Sequence, residues 1–307
     1  MSRPVGGVTV SPMSSPVFGR LLTAMVTPMD ERGALDLDAA ARLARHLVEQ
    51  GNDGIVVNGT TGESATTSDA EKAQLVETVV DAVGDRAKVV AGVGTNDTAH
   101  TLELTAQATE RGAHGLLVVT PYYTKPPQAG LLRHFRTVAE AAQVPVMLYD
   151  IPGRSGVPIA TETLIALAEH ERIVAVKDAK GDLWATTHVL RATDLEWYSG
   201  DDGATLPHMA QGAVGVVGVT THVAPGAFAR LVAAATEDDF ATARRLHMDL
   251  VPAVDAVMGI TQGAIAAKAA LVEQGVLTTA TVRSPLPQME DAQLDRLRTG
   301  LKEAGLL

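Results

Sequence analysis

Eight short apolar runs, helical periodicity between them, and a last stretch that reads as helices only predict a TIM-type (β/α)8 barrel with a C-terminal helical appendix. The run starts lie roughly 20 to 35 residues apart, the repeat of a βα unit. The 307 residues suffice, since such a barrel occupies about 250 residues as one unit. A doubly wound open sheet is the second choice. The expected layout is an arm over residues 1–17, a catalytic barrel over 18–236 and helices over 237–307.

The runs are 21–28 (LLTAMVTP), 54–61 (GIVVNGTT), 88–94 (KVVAGVG), 115–121 (GLLVVTP), 145–151 (PVMLYDI), 173–179 (IVAVKDA), 196–202 (EWYSGDD) and 215–221 (GVVGVTT). They are rich in β-branched residues and do not alternate, the pattern of strands covered on both faces of a parallel sheet. Between them, 36–51 places Leu37, Ala40, Ala44, Leu47 and Val48 on one helical face, with Gly51 as a stop. Segment 68–83 opens with Ser68 and Glu71 at capping-box spacing. Segment 98–111 ends at Gly112, and Pro285 and Pro287 make the clearest late break.

Composition narrows the function. Without cysteine there are no disulfides, thiolate metal sites or cysteine nucleophiles. A net charge of −11 argues against nucleic-acid and anionic-membrane partners. Aromatics, at 3%, are too few for base-stacking platforms. No apolar run reaches the length of about 18 residues that a membrane span needs, and residues 1–20 do not form a secretory signal. A cytoplasmic location is expected. The nine histidines show no HExxH spacing, no GxSxG elbow occurs, and Asp201-Asp202 reads as a strand-end cap.

In a βα barrel, chemistry sits where strands end and loops begin, and four such ends carry reactive groups. The turn Gly59-Thr60-Thr61-Gly62-Glu63 offers free N–H groups and two hydroxyls to a small carboxylate, or is an ordinary glycine-rich turn. Lys177, closing the apolar strand IVAVK, is a desolvated amine suited to a Schiff base, or else a surface lysine just past the strand, or one paired with Asp178. Tyr149-Asp150-Ile-Pro152-Gly-Arg154 supplies a phenol and a guanidinium, or a packed turn. Thr120-Pro121-Tyr122-Tyr123 brings two phenols, catalytic or interfacial.

GTTGE, TPYY, YDIPGR and VKDA, in this order on successive strands, resemble the dihydrodipicolinate synthase family of pyruvate-dependent class I aldolases, in its actinobacterial form. The resemblance runs from about Phe18 to Leu307 and implies a homotetrameric TIM barrel that needs no metal or organic cofactor. It makes Lys177 the imine-forming lysine, Tyr149 the proton-relaying phenol, Thr60 the linking hydroxyl and Tyr123 a second phenol given across a dimer interface. It makes Thr61 the binder of the pyruvate carboxylate and Arg154 the receiver of the second carboxylate, with Gly200 and Val217 lining the pocket.

The implied reaction condenses pyruvate with aspartate semialdehyde. A sister aldolase, such as N-acetylneuraminate lyase or a 2-keto-3-deoxy sugar-acid aldolase, is the rival, and Arg154 separates the two. A non-catalytic paralogue is the remote alternative, opposed by the joint presence of Lys177, Tyr149, Thr60 and Tyr123. Weak or absent inhibition by L-lysine is also expected. Ser64, Ala65, Asn96 and Tyr122 match the lysine-sensitive forms, but Asp69, Lys72 and His100 stand where those typically carry His, His and Glu.

Overall fold

Strands that are apolar on both faces must be covered on both, and closing the sheet on itself does this while leaving no edge to pair. The computed structural model describes residues 15–307 and shows that solution. In chain order the barrel elements are β1 (Leu21–Ala24), α1 (Leu37–Glu49), β2 (Gly54–Val57), α2 (Asp69–Val83), β3 (Lys88–Gly92), α3 (Thr98–Glu110), β4 (Gly115–Val119) and α4 (Gln128–Ala141). They continue with β5 (Val146–Asp150), the single turn α5 (Pro152–Ser155), α6 (Thr161–Leu167), β6 (Ile173–Asp178), α7 (Leu183–Ala192), β7 (Glu196–Ser199), α8 (Thr205–Ala210), β8 (Gly215–Gly218) and α9 (Pro225–Thr236). All eight strands are parallel neighbours in sequence order, and β8 pairs with β1 through Leu22 and Val217.

The helix signals read from the sequence are realised locally. Ser68 and Glu71 form the reciprocal capping box of α2, and Asp36 caps α1 by accepting from the Ala39 N–H. The strands are shorter than the apolar runs: β1 stops at Ala24 and β2 at Val57. The residues beyond leave the ladder at the C-terminal rim, where Asn58 turns into a left-handed conformation with φ 56°.

Two cores result. An inner cluster including Phe18, Leu22, Val56, Val90, Met147, Ala175 and Val217 fills the barrel, and a larger outer cluster lies between sheet and helices. A Cβ on Gly115 would lie 2.3 Å from the Phe18 ring, so only glycine admits that plug. Alternation along β6 sends Ala175 inward and Val176 outward, and therefore Lys177 inward and Asp178 outward.

After the barrel come α10 (Phe240–Asp249), α11 (Val251–Met258), α12 (Gly263–Glu273) and α13 (Asp291–Glu303). Helix α10 packs on α9, and α11 lies against both α12 and α13. Helix α12 is buried without interruption from Gly263 to Leu271, Lys268 included. The arm expected over 1–17 lies outside the described residues up to residue 14. Of the rest, Val17 donates its N–H to the Glu196 carboxylate at 2.9 Å. Among the described residues, no helix is long and apolar enough to cross a membrane.

Candidate active site

The register of β5 and β6 sets Tyr149 directly beside Lys177 at the C-terminal rim. The Lys177 side chain is 4% exposed, and its Nζ lies 4.4 Å from the centre of the Tyr149 ring. Burial disfavours the ammonium form and brings Lys177 down to about 8; the buried Asp202 carboxylate opposes this and the Arg154 charge assists it. Pairing with Asp178 does not occur. That carboxylate faces outward, accepting from the Lys180 N–H at 2.7 Å and the Thr186 hydroxyl at 3.2 Å.

Gly200, at the end of β7, makes room for the lysine. A Cβ there would come 2.9 Å from Lys177 Cγ and 3.0 Å from the Asp178 backbone, and the Gly200 N–H donates to the Asp178 carbonyl at 2.7 Å. The Asp201-Asp202 pair works as a cap. Asp202, fully buried, accepts from the N–H groups of Val219 and Thr220 at 3.1 and 3.2 Å.

Tyr149 is 6% exposed, and burial pushes its phenol up to about 12 against the smaller pull of the Arg154 charge and a hydrogen bond with Thr60. The phenol therefore keeps its proton at neutral pH. Thr60 belongs to a turn closed by its own backbone: the Gly62 and Glu63 N–H groups donate to the Gly59 and Thr60 carbonyls, and the Thr27 hydroxyl donates to the Gly62 carbonyl at 2.6 Å. On β3, a Cβ on Gly92 would sit 2.3 Å from the Asn58 carbonyl, so glycine lets the turn fold down over the rim.

A cavity of about 300 Å³ opens above this rim, lined by Thr60, Tyr149, Arg154, Tyr122 and Tyr123 among others. Of the eight residues expected at the site, Thr60, Tyr123, Tyr149 and Arg154 line it, and Lys177 adjoins it through Tyr149. Thr61 is buried within the turn, Gly200 lies beneath Lys177, and Val217 is fully buried inside the barrel; none of the three is part of the lining. Arg154 stands exposed on the turn α5. Tyr123, in a left-handed conformation (φ 71°), is 87% exposed.

Ser64, Ala65 and Tyr122 line the same cavity, while Asn96 lies in a neighbouring one of about 320 Å³. Asp69 bridges His100 at 2.9 Å and Lys72 at 3.3 Å, and the hydrogen bond from His100 does most to hold its carboxyl below the usual range.

The sequence reading missed Asp202 as a charge acting on Lys177, and it missed the buried Glu63–Lys268 pair behind the turn. A signal for the second was present: a lone lysine in AIAAKAAL, on a helix apolar all round, has to be buried and therefore partnered.

Comparison with known proteins gives the family. Residues 17–304 match the family model described as the dihydrodipicolinate synthetase family, and the chain belongs to that family. It is 61% identical, over 94% of both chains, to the 4-hydroxy-tetrahydrodipicolinate synthase of Kineococcus radiotolerans. The lysine-bound dihydrodipicolinate synthase structure from Cyanidioschyzon merolae is 40% identical with a TM-score of 0.92, covering 95% of this chain and all of that one. The chloride-inhibited, pyruvate-complexed enzyme from Acinetobacter baumannii is 36% identical with a TM-score of 0.91, covering 94% and 100%.

Burying Lys177 destabilises the fold. With its value lowered from 10.5 to about 8, the penalty at pH 7 is on the order of 3 kcal/mol. Between these values the unfolded chain binds the proton more tightly, so the penalty is full below about 8 and fades as pH rises towards 10.5. Lys177→Met is expected to unfold at a higher temperature than the native chain at pH 7, with the gain shrinking by about pH 10. Thermal unfolding at the two pH values checks this; an unchanged or lowered midpoint at pH 7 contradicts it.

Proposed function

We propose that this chain condenses pyruvate with L-aspartate 4-semialdehyde, through a Schiff base on Lys177, to give 4-hydroxy-tetrahydrodipicolinate. The observation that carries the reading is a buried amine, brought to about 8, lying 4.4 Å from the ring of a Tyr149 that burial keeps protonated. The relative named above, 61% identical, supports the choice of reaction, and the A. baumannii structure named as a pyruvate complex supports the first substrate.

The neutral Lys177 amine adds to C2 of pyruvate, water leaves with a proton supplied by Tyr149, and an imine forms. Thr61 and the adjacent N–H groups receive the pyruvate carboxylate. The Tyr149 phenolate left by imine formation takes a methyl proton, and the enamine carbon attacks the aldehyde of the second substrate, whose oxygen receives the proton back from Tyr149. That substrate's own amine displaces Lys177 and closes the ring, returning the free enzyme. Thr60 links Tyr149 to Tyr123 in the proton relay, and the exposed Arg154 at the mouth forks onto the second carboxylate. Gly200 serves the site from outside the lining, by leaving space for the lysine stem, and Val217 serves it only as packing inside the barrel.

Tyr123 is contributed to a neighbour's site in this reading. Its 87% exposure on the single chain fits a side chain that finds its partner in another copy. A cytoplasmic homotetramer is the assembly that goes with it.

Incubation with pyruvate and borohydride is expected to leave a covalent adduct on Lys177, with an initial rate that rises with pH through about 8 as the amine loses its proton. Peptide mass spectrometry over a pH series checks both; an adduct elsewhere, or a rate that falls over this range, contradicts the mechanism.

Arg154→Ala is expected to keep the pyruvate adduct while kcat/KM for aspartate semialdehyde drops by an amount equivalent to about 1.5–3 kcal/mol. Equal losses in both half-reactions would make Arg154 a folding residue. A parallel assay with sugar-derived aldehydes separates the sister-aldolase reading.

L-Lysine is expected to inhibit weakly or not at all, unlike what a lysine-bound relative suggests for its own chain. Here Asp69 is engaged by His100 and Lys72, and the Lys72 ammonium repels a cationic ligand. A steady-state titration decides, and strong inhibition at sub-millimolar lysine would overturn the expectation.

A further inference from the structure

We propose that Lys268, on α12, is a positioning residue for the turn that receives the pyruvate carboxylate, so that the helical region after the barrel is part of the active site. The inference rests on the reading of that turn given above. Lys268 is fully buried, and its Nζ donates to Glu63 Oε1 at 2.5 Å and to the Thr281 carbonyl at 2.6 Å. The other Glu63 oxygen accepts the Arg283 N–H at 2.8 Å. Both oxygens of one buried carboxylate are thus held by residues more than two hundred positions away in the chain.

Glu63 touches no substrate space. It is 4% exposed and absent from the cavity lining. It closes the turn that carries Thr60 and Thr61 with their N–H groups, and it does so with φ 56°, a conformation glycine adopts without strain and glutamate does not. A glycine would relieve the backbone but would lose the anchor. With glutamate, the strained residue is fixed from behind by Lys268 and Arg283, while the Thr27 hydroxyl fixes the Gly62 carbonyl next to it at 2.6 Å.

Arg283 extends the same clamp. Its Nη1 donates to the Thr66 carbonyl, its Nε to the Gly33 carbonyl, and its guanidinium pairs with Glu71 at 2.6 Å. Segment 281–283 therefore ties the carboxylate turn, the start of α2 and the loop after β1 to α12. Stability alone is a poor reason for such a pair, because a well-packed apolar pair of the same size commonly does as well or better. What an apolar pair cannot do is aim hydrogen bonds at both oxygens and so set the turn's rotation. A carboxylate binder built from backbone N–H groups depends on that rotation, since small misplacement of such groups is costly.

The test separates positioning from folding. Lys268→Met alone strands a buried carboxylate and is expected to lower stability sharply. The double variant Glu63→Gln with Lys268→Met removes both charges and keeps the volume. It is expected to unfold near the native temperature and yet to need about tenfold more pyruvate for half-maximal borohydride trapping at Lys177. Its saturating trapping rate and its KM for aspartate semialdehyde are expected to stay within about twofold of the native values. A native pyruvate requirement in the double variant overturns the proposal, and so does failure of that variant to fold, since either assigns the pair to the fold alone. Native protein trapped with pyruvate in parallel is the control: without its adduct the Schiff-base reading itself fails, whatever the variants do.

Discussion

The site depends on one constraint: an amine held in a place where its charge is poorly solvated. Closing eight strands into a barrel leaves the inward side chains at the C-terminal rim with apolar residues beneath them and helices around them. Lys177 occupies that rim, and burial alone accounts for most of the shift that leaves a usable fraction of neutral amine near physiological pH. The same burial acts on Tyr149 in the opposite chemical sense, holding the phenol protonated. One dry environment favours a neutral amine and a protonated phenol side by side, the pair the proposed reaction uses, and parallel register keeps them adjacent.

The alternation that turns these two groups inward turns their successors outward. Asp150 and Asp178 both enter the layer between sheet and helices, where Lys180 lies 3.4 Å from Asp150 and Thr186 donates to Asp178. Asp150 is pushed up to about 6, chiefly by burial, with Lys180 opposing and Asp178 adding to the rise. A charged cluster in an otherwise apolar layer is costly. Asp150 and Asp178 follow Tyr149 and Lys177 directly in sequence, so one peptide bond on each strand joins this layer to the rim.

Strain is placed with similar economy. Asn58 and Glu63 flank the GTTGE turn in left-handed conformations, and Tyr123 and Lys125 adopt such conformations in the loop after β4. Around the first turn the compensating contacts are visible: Gly92 permits the approach, Thr27 takes up a carbonyl, and the α12 region fixes the glutamate. Around Tyr123 the single chain shows no comparable support in burial, the side chain being largely exposed.

Much of this was legible in the chain itself. Periodicity determined the element order, because buried parallel strands and amphipathic helices leave distinct local patterns, and Ser68 with Glu71 marked the start of α2 to the residue. The strand-end location of Lys177, Tyr149, Arg154 and the GTTGE turn was equally readable, since a βα barrel puts its chemistry where strands stop. Tertiary structure alone decided the rest. Whether Lys177 paired with Asp178 or stood desolvated beside Tyr149 depended on the register of β5 against β6 and on glycine at 200. That Asp202 acts on the lysine depended on how β7 and β8 end together. The union of Glu63 with Lys268, 205 positions apart, follows no local rule, because only packing α12 against the rim brings the two charges out of water and obliges them to meet.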